Sequence, residues 1–238
     1  MPIFNLFKVS QADRNKFSAH IIESSAPRTD FYFLVILSTL IVALGLLADN
    51  IVLVIGGMLV TPLLSPILAI ALGIVINNPK VIMRSVRIFL TAFLFAFLVA
   101  FILGFFSSVK IGDINIIKVM QPSLFTFFVA VVAGLAASYT WVKPELNETL
   151  PGIAITVTLI PPLTAIGLAA ANGSWLILNN TFKVLLLNVF GIIVASLIVF
   201  SLMDFYKAKG KIIEEVKEEE KEIQKEKALA QASMEKAE

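Results

Sequence analysis

The sequence contains no cysteine and only one histidine, His20. The lack of cysteine excludes disulfide bonds, cysteine-based zinc sites and thiol nucleophiles. With no histidine inside the apolar part of the chain, a Ser-His-Asp triad or a site with two histidine ligands is excluded there as well. HExxH and GxSxG motifs and embedded pairs of acidic residues are also missing from the sequence. We therefore expect no enzyme activity, no cofactor and no metal site.

Charge is scarce, at 15% of 238 residues, and 19 Lys and Arg nearly balance 17 Asp and Glu. Soluble chains average about 25% charged and roughly 45–50% apolar residues. Here 58% of the residues are apolar, and the mean hydropathy is +0.91. A nucleic-acid-binding protein would carry a concentrated basic face, which this balance argues against. The composition indicates an integral membrane protein with the lipid bilayer as its partner, and it names no solute.

Six apolar stretches are long enough, or nearly so, to cross a hydrocarbon core, which takes roughly 20 residues. They predict an all-α polytopic membrane protein with six transmembrane helices. Arg87 is the only charged residue within them. The six stretches are residues 31–48, 51–76, 86–106, 124–140, 150–171 and 184–203.

Lysine and arginine fall unevenly on the connections between these stretches. With six spans, residues 1–30, 77–87, 141–149 and the tail after Met203 share one side of the membrane, and they hold all but three of the 19 Lys and Arg residues. The three on the other side are Lys110, Lys118 and Lys183. Because positively charged loops stay in the cytoplasm, we expect a multi-pass protein of the cell membrane with both termini cytoplasmic.

The second and fifth stretches each contain two prolines, at Pro62 and Pro66 and at Pro161 and Pro162. Proline removes an amide donor and clashes with the preceding turn, so we expect both helices to break. About 15 Å of helix precedes each break, which places it near the bilayer midplane. Pro62 aligns with Pro162 at an offset of about 100 residues, and three spans per half must lie antiparallel. The sequence therefore predicts a 3+3 inverted repeat.

This interpretation divides the chain into five parts. Residues 1–30 form a cytoplasmic or interfacial segment, 31–106 the first repeat, 107–123 an outer loop, 124–206 the second repeat and 207–238 a charged cytoplasmic helical tail. We expect the tail to extend the sixth span as a solvated helix. The turn Asp49-Asn50 between the first two spans is expected to cap the second helix, and a role at an outer mouth is the alternative. Small residues four apart, such as Ala130, Gly134 and Ser138, either pack the bundle or form the seam of a homo-oligomer.

Inverted repeats with discontinuous helices are typical of transporters that bind their solute at the midplane. A break frees backbone carbonyls and amides, and the amide end of a helix carries partial positive charge. Because no acidic residue lies near the midplane, proton coupling through a buried carboxylate is disfavoured. A neutral or anionic solute, or a cation held by carbonyls, stays open. The candidate solute-binding residues are Gly57, Thr61, Pro62, Ser65, Thr158, Pro161, Pro162 and Thr164.

Each of these residues also has a plainer interpretation. A threonine or serine hydroxyl in a helix commonly donates to the carbonyl one turn earlier. A glycine such as Gly57 can serve only close helix packing. Two breaks in corresponding positions favour the functional interpretation.

Four phrases of the sequence are distinctive: Leu44–Asn50 (LGLLADN), Ile55–Pro66 (IGGMLVTPLLSP), Gly152–Ile155 (GIAI) and Leu159–Leu163 (LIPPL). They resemble the prokaryotic "uncharacterised hydrophobic domain" family of membrane proteins, domain of unknown function 389. The resemblance extends over roughly residues 24–203. It implies a prokaryotic inner-membrane protein and supplies no activity, substrate or site residues, and longer relatives carry an additional soluble domain before the membrane part.

The function we expect is a transporter or channel for a small anionic or polar solute, with its site between the two broken helices. The alternative is a membrane scaffold or sensor that transports nothing and recruits a partner through the charged tail.

Overall fold

The computed structural model describes residues 9–143, 146 and 159–235, and their side chains except at 211 and 226–235. Every regular element in these ranges is helical. Two short 3-10 turns, Ile111–Asp113 and Phe205–Ala208, accompany the α-helices. The α-helices are α1 (Gln11–Ser24), α2 (Thr29–Leu47), α3 (Ile51–Val60), α4 (Leu64–Val75), α5 (Pro79–Phe106), α6 (Asn115–Lys118), α7 (Leu124–Val142), α8 (Ile160–Ala171), α9 (Trp175–Leu202) and α10 (Lys209–Glu235).

Four of these helices, α2, α5, α7 and α9, are long and apolar enough to cross a membrane. The pair α3 and α4 passes the same test as one broken element, bent by 52° at its junction. From the predicted fifth stretch the structure describes α8, whose 12 residues are too few to cross alone. Residues 150–158 of that stretch lie outside the described residues. An all-helical chain with four or five helices able to span a membrane is therefore confirmed for the described ranges.

Both of the longest helices begin earlier than hydropathy predicts. α5 begins at Pro79 instead of residue 86, and α9 begins at Trp175 instead of residue 184. At α5 the side chain of Asn78 accepts hydrogen bonds from the amides of Lys80 and Val81. An N-cap of this kind fixes where a helix starts, whereas hydropathy locates only its apolar part. The basic first turns of α5 are therefore helical.

The short helices α4 and α8 lie at the centre of the bundle. α4 packs between α5 and α9, and α8 packs between the same two helices and also contacts α2. All residues from Ser65 to Gly73 and from Ile160 to Ala169 are buried. A helix that is apolar on every side belongs in the interior, which is where both helices lie.

Small residues bring α7 and α9 into close contact. A Cβ on Gly134 would lie 2.8 Å from the Cα of Ile192, and a Cβ on Gly191 would lie 2.8 Å from the Cβ of Ala130. The hydroxyl of Ser138 donates to that of Ser196 across the same contact, at 2.7 Å. The small residues at spacing four on these helices therefore serve packing within the chain.

Helix lengths recur along the chain. α2 and α7 both have 19 residues, α4 and α8 both have 12, and α5 and α9 both have 28. The spacing is 96 residues both from Leu64 to Ile160 (160 − 64) and from Pro79 to Trp175 (175 − 79). This differs from the predicted offset of about 100, because at 96 residues Pro162 corresponds to Pro66 and not to Pro62.

At this spacing several buried positions of α5 correspond to buried positions of α9. A residue with positive φ precedes the long helix in each half, Asn77 with φ 51° and Gly173 with φ 65°. Three of the buried residues of α5 are Ser85, Ile88 and Ala92. The residues 96 positions later in α9 are also buried, and they are Thr181, Val184 and Asn188.

The two terminal segments pack against each other. α1 contacts α10 and α4, and the Phe17 ring lies 5.3 Å from that of Phe200 and 5.0 Å from that of Phe205, centroid to centroid. Asp204, with φ 58°, separates α9 from the turn that leads into α10. The tail is therefore not a solvated continuation of α9, and its residues Ile212 and Val216 are buried.

Candidate functional site

The break between α3 and α4 consists of residues 61–63. Thr61 is extended, with φ −76° and ψ 132°, as expected for a residue that precedes proline. Pro62 has no N–H to continue the hydrogen bonding of α3 and cannot fit inside an α-helix without distortion. The 52° bend follows from this local chemistry. The predicted break at Pro62 is confirmed.

The end of α3 presents backbone oxygens. The last four carbonyls of a helix have no partner within it. The carbonyl of Gly57 accepts a hydrogen bond from the Ser38 hydroxyl at 2.8 Å. No hydrogen bond from outside the helix reaches the carbonyls of Met58, Leu59 or Val60 within the described ranges. The break therefore offers acceptor oxygens at the negative end of a helix dipole.

The amide ends of α4 and α8 are poor in donors. Two of the first three residues of α8 are Pro161 and Pro162, which carry no N–H, and the amide of Leu163 donates to the carbonyl of Leu159 at 3.4 Å. In α4 the amide of Ser65 donates to the carbonyl of Pro62 at 3.3 Å, and Pro66 has no N–H. Of the amides expected to hold an anion, those of Ser65 and Leu163 are engaged, and those of Leu63 and Leu64 donate no hydrogen bond within the described ranges.

Two threonine hydroxyls of the candidate set have no partner among the described residues. Buried Oγ1 atoms of Thr61 and Thr164 make no hydrogen bond with the described residues, and Thr164 is 0% exposed. The expected bond to the carbonyl one turn earlier is made elsewhere, for example by Thr39 to Val35 at 2.7 Å and by Ser196 to Ile192 at 2.7 Å. The hydroxyls at 61 and 164 are therefore free to interact with a solute.

The remaining candidate residues have mixed roles. Gly57 serves packing, because a Cβ there would lie 2.5 Å from a methyl group of Val42 in α2. Ser65 is buried in the first turn of α4. Pro161 and Pro162 are buried in the first turn of α8. Thr158 lies outside the described residues.

A cavity of about 420 Å³ reaches the break from the side of α1 and the start of α2. Pro62 lines it together with charged residues of both signs. We call this space the break cavity. α8 contacts α2 and α3. The break is therefore not sealed, whereas the prolines of α8 are buried. The residues that line the cavity are His20, Glu23, Ser24, Ala26, Arg28, Asp30, Phe31, Leu34 and Pro62.

The opposite end of the bundle is covered by the loop after α5. The carboxylate of Asp49 accepts hydrogen bonds from the Asn115 side chain at 2.7 Å and from the Ile116 amide at 3.0 Å. The Ile116 amide, foremost among these donors, lowers the pKa of Asp49. Three isoleucines of this loop, at 111, 114 and 117, are buried against the bundle.

The cap expected from the Asp49-Asn50 turn is confirmed, but Asn50 and not Asp49 forms it. Asn50 caps α3, its side chain accepting from the amides of Val52 and Leu53. Asp49 instead adopts a left-handed conformation, with φ 49°, and holds the loop. Sequence reasoning missed this role because its partners lie 66 and 67 residues further along the chain.

Ion pairs between the bundle and α10 were also missed. Arg84 pairs with Glu219, and both side chains are almost buried, while Arg28 pairs with Glu222 at 3.3 Å. The sequence shows only that basic residues and a charged tail share one side. Among the described residues, no group of three or more His, Asp and Glu side chains is placed to share a metal ion.

Comparison with known proteins agrees with the motifs. An uncharacterized protein of Methanocaldococcus jannaschii is 26% identical over 171 residues, which cover 71% of this chain and 52% of that protein. The chain thus spans about half the length of this curated relative. No solved structure matches the chain. A match to the family described as Domain of unknown function (DUF389) extends over residues 58–194, more than half of the sequence. The chain therefore belongs to the DUF389 family, as its proline and Asp-Asn phrases predict.

Proposed function

We propose that this chain is an integral membrane transporter or channel for a small polar solute that enters through the break cavity. The observation that carries the proposal is the break itself. It combines unpaired backbone oxygens, an unpartnered hydroxyl at Thr61 and an opening at Pro62. Unsatisfied polar groups at membrane depth are unfavourable unless protein, water or a ligand satisfies them. A solute that supplies the missing hydrogen-bond partners is the simplest explanation for the break.

The chemistry of the break favours a neutral or cationic solute over an anion. Carbonyl oxygens at the end of α3 accept hydrogen bonds or coordinate a cation. Prolines remove amide donors from the first turns of both α4 and α8. An anion would therefore meet acceptors on one side and few donors on the other. Because the break cavity carries charges of both signs, it does not select strongly between cationic and anionic solutes.

The overall arrangement we propose is a six-span inverted repeat with both termini in the cytoplasm. Equal helix lengths in the two halves, the spacing of 96 residues and the matching buried positions support this arrangement. Reciprocal packing also supports it, since α5 of the first half contacts α8 of the second and α9 of the second contacts α4 of the first. In this arrangement the break cavity faces the cytoplasm and the loop held by Asp49 covers the outer end.

Because the chain has no cysteine, a single introduced cysteine can report access to the break. We expect Pro62→Cys to react with a membrane-impermeant thiol reagent only from the side that carries α1, because Pro62 lines the break cavity. Thr39→Cys is the matched control, because Thr39 is fully buried, and it should stay unreactive. If Pro62→Cys reacts from neither side, the break cavity does not lead to the break.

Transport is tested with the purified full chain in liposomes. A panel of monovalent cations, small neutral polar compounds and small anions should show flux above protein-free liposomes for a cation or a neutral compound. We expect the double variant Thr61→Val with Thr164→Val to lose most of that flux and Thr39→Val to keep it. Absence of flux over the whole panel, or equal flux in the double variant, contradicts the proposal.

The alternative, a scaffold that recruits a partner through its tail, makes a different prediction. The first turns of α10 are already engaged within the chain, through buried Ile212 and Val216 and the pair of Glu219 with Arg84. If liposomes show no flux and removal of residues 210–238 abolishes the cellular role, the scaffold replaces the transporter.

A further inference from the structure

A second cavity, of about 500 Å³, lies beside the first turns of α5, between the start of α2 and α10. It shares no lining residue with the break cavity. We call it the basic cavity, because three cationic side chains and one acidic side chain line it. These are Lys80, Arg84, Arg87 and Glu220, and the hydroxyl-bearing residues of the lining are Tyr32 and Thr91.

The charges in the basic cavity are not balanced. Arg84 is paired with Glu219 of α10, and that pair is almost buried. Lys80 and Arg87 form no ion pair with any residue in the described ranges, and both are exposed. Glu220 leaves the cavity with an excess of positive charge. Lys80 and Arg87 lie seven positions apart on α5 (87 − 80). Two cations on one helix, with hydroxyls nearby, can bind an anion that has several oxygens.

The position of the cavity indicates where that anion comes from. Met83, in its lining, is 54% exposed, and Leu90, on the same helix, is 56% exposed. Large exposed apolar side chains on a helix long enough to span a membrane face lipid chains. Lys80 to Arg87 is about 10 Å of helix at the end of this apolar surface, at headgroup depth. The anion at this site is therefore attached to acyl chains.

We propose that the basic cavity binds the phosphate group of an anionic phospholipid, with Lys80 and Arg87 as the phosphate ligands. Basic pockets between membrane helices on the cytoplasmic side are suited to such headgroups. The acyl chains lie along the apolar face of α5 that carries Met83 and Leu90. The proposal requires the chain to lie in a membrane, but it does not depend on transport.

The experiment measures binding of short-chain phosphatidylglycerol to the purified full-length chain in neutral detergent. Short-chain phosphatidylcholine and inorganic phosphate are the comparison ligands. We expect phosphatidylglycerol to bind more tightly than either. Lys80→Gln and Arg87→Gln should each weaken its binding about five-fold, the effect of one basic residue near an anionic lipid. Glu220→Gln should strengthen the binding by a similar factor.

Lys183→Gln is the matched control. Lys183 lies 96 residues after Arg87 (183 − 87), is exposed and occupies the same position of α9. It does not line the basic cavity, so its removal should leave binding unchanged. The proposal is overturned if Lys183→Gln weakens binding as much as Arg87→Gln, or if Glu220→Gln has no effect. If inorganic phosphate binds as tightly as phosphatidylglycerol, the ligand is free phosphate and the assignment to lipid fails.

Discussion

Replacing Thr164 with valine is expected to make the protein more stable. The side chain is 0% exposed, and its Oγ1 has no hydrogen-bond partner among the described residues. A buried hydroxyl without a partner costs about 1–3 kcal/mol, because its hydrogen bonds with water are lost and not replaced. Valine has nearly the same shape and leaves no cavity. Thr164→Val should therefore raise the free energy of unfolding by about 1 kcal/mol or more.

Thr39 provides a control of opposite sign. It is also 0% exposed, but its hydroxyl donates to the carbonyl of Val35 at 2.7 Å. Such a bond contributes about 0.5–1.5 kcal/mol net, so Thr39→Val should lower the free energy of unfolding by about that much. The two substitutions change the same atoms at equally buried positions. Only the presence of a partner for the hydroxyl differs.

Equilibrium unfolding in mixed micelles measures both changes. We expect the free energies of unfolding of the two variants to differ by about 2 kcal/mol, with opposite signs relative to the unsubstituted chain. A ligand that binds the Thr164 hydroxyl would add its own stabilisation to the unsubstituted chain alone. Equal destabilisation by Thr164→Val and Thr39→Val would refute the reasoning, because it would mean that the hydroxyl at 164 has a partner.

Three further predictions follow from the packing and the charges. Gly57→Ala should lower the free energy of unfolding by about 1–3 kcal/mol, because its Cβ would lie 2.5 Å from an atom of α2, whereas Gly56→Ala has no atom within 4 Å and should be neutral. Arg84→Met alone should cost about 3 kcal/mol in the same unfolding assay by leaving Glu219 unpaired, and adding Glu219→Leu should recover most of that loss. Because the pKa of Asp49 is lowered, its ionised form stabilises the loop at 111–118 above pH about 4. The protection factors of the 111–118 amides against hydrogen exchange, taken relative to the intrinsic rate at each pH, should therefore fall as the pH drops below that value, and those of Asp49→Asn should depend less on pH.

The sequence and the structure give different offsets between the two proposed halves of the chain. Proline pairs suggested an offset of about 100, because prolines are conspicuous in a sequence. Helix boundaries give 96, at which Pro66 corresponds to Pro162. The difference arises because a proline can stand before a helix, as Pro62 does, or inside its first turn, as Pro66 and Pro162 do. Proline thus occurs at two kinds of position with different local roles, and the residue type alone does not distinguish them.

Contacts between distant parts of the chain could not be read from the sequence. The tail helix was expected to be solvated, yet its Glu219 is almost buried against Arg84, which lies 135 residues earlier (219 − 84). The turn Asp49-Asn50 was expected to cap the second helix, and Asn50 does so, but Asp49 holds a loop that follows α5. Both cases involve polar side chains near helix ends, where several partners are compatible with the local sequence.

Hydropathy and proline determined from the sequence alone that the chain is helical, apolar enough for a membrane and broken at Pro62, because these properties depend on each residue and its immediate neighbours. Family membership also followed from contiguous phrases. Only the tertiary structure decided that, within the described part of the chain, the hydroxyls of Thr61 and Thr164 lack partners while that of Thr39 has one, and that a cavity reaches Pro62. Those outcomes depend on which helices pack side by side, and packing is settled by the summed fit of many distant residues.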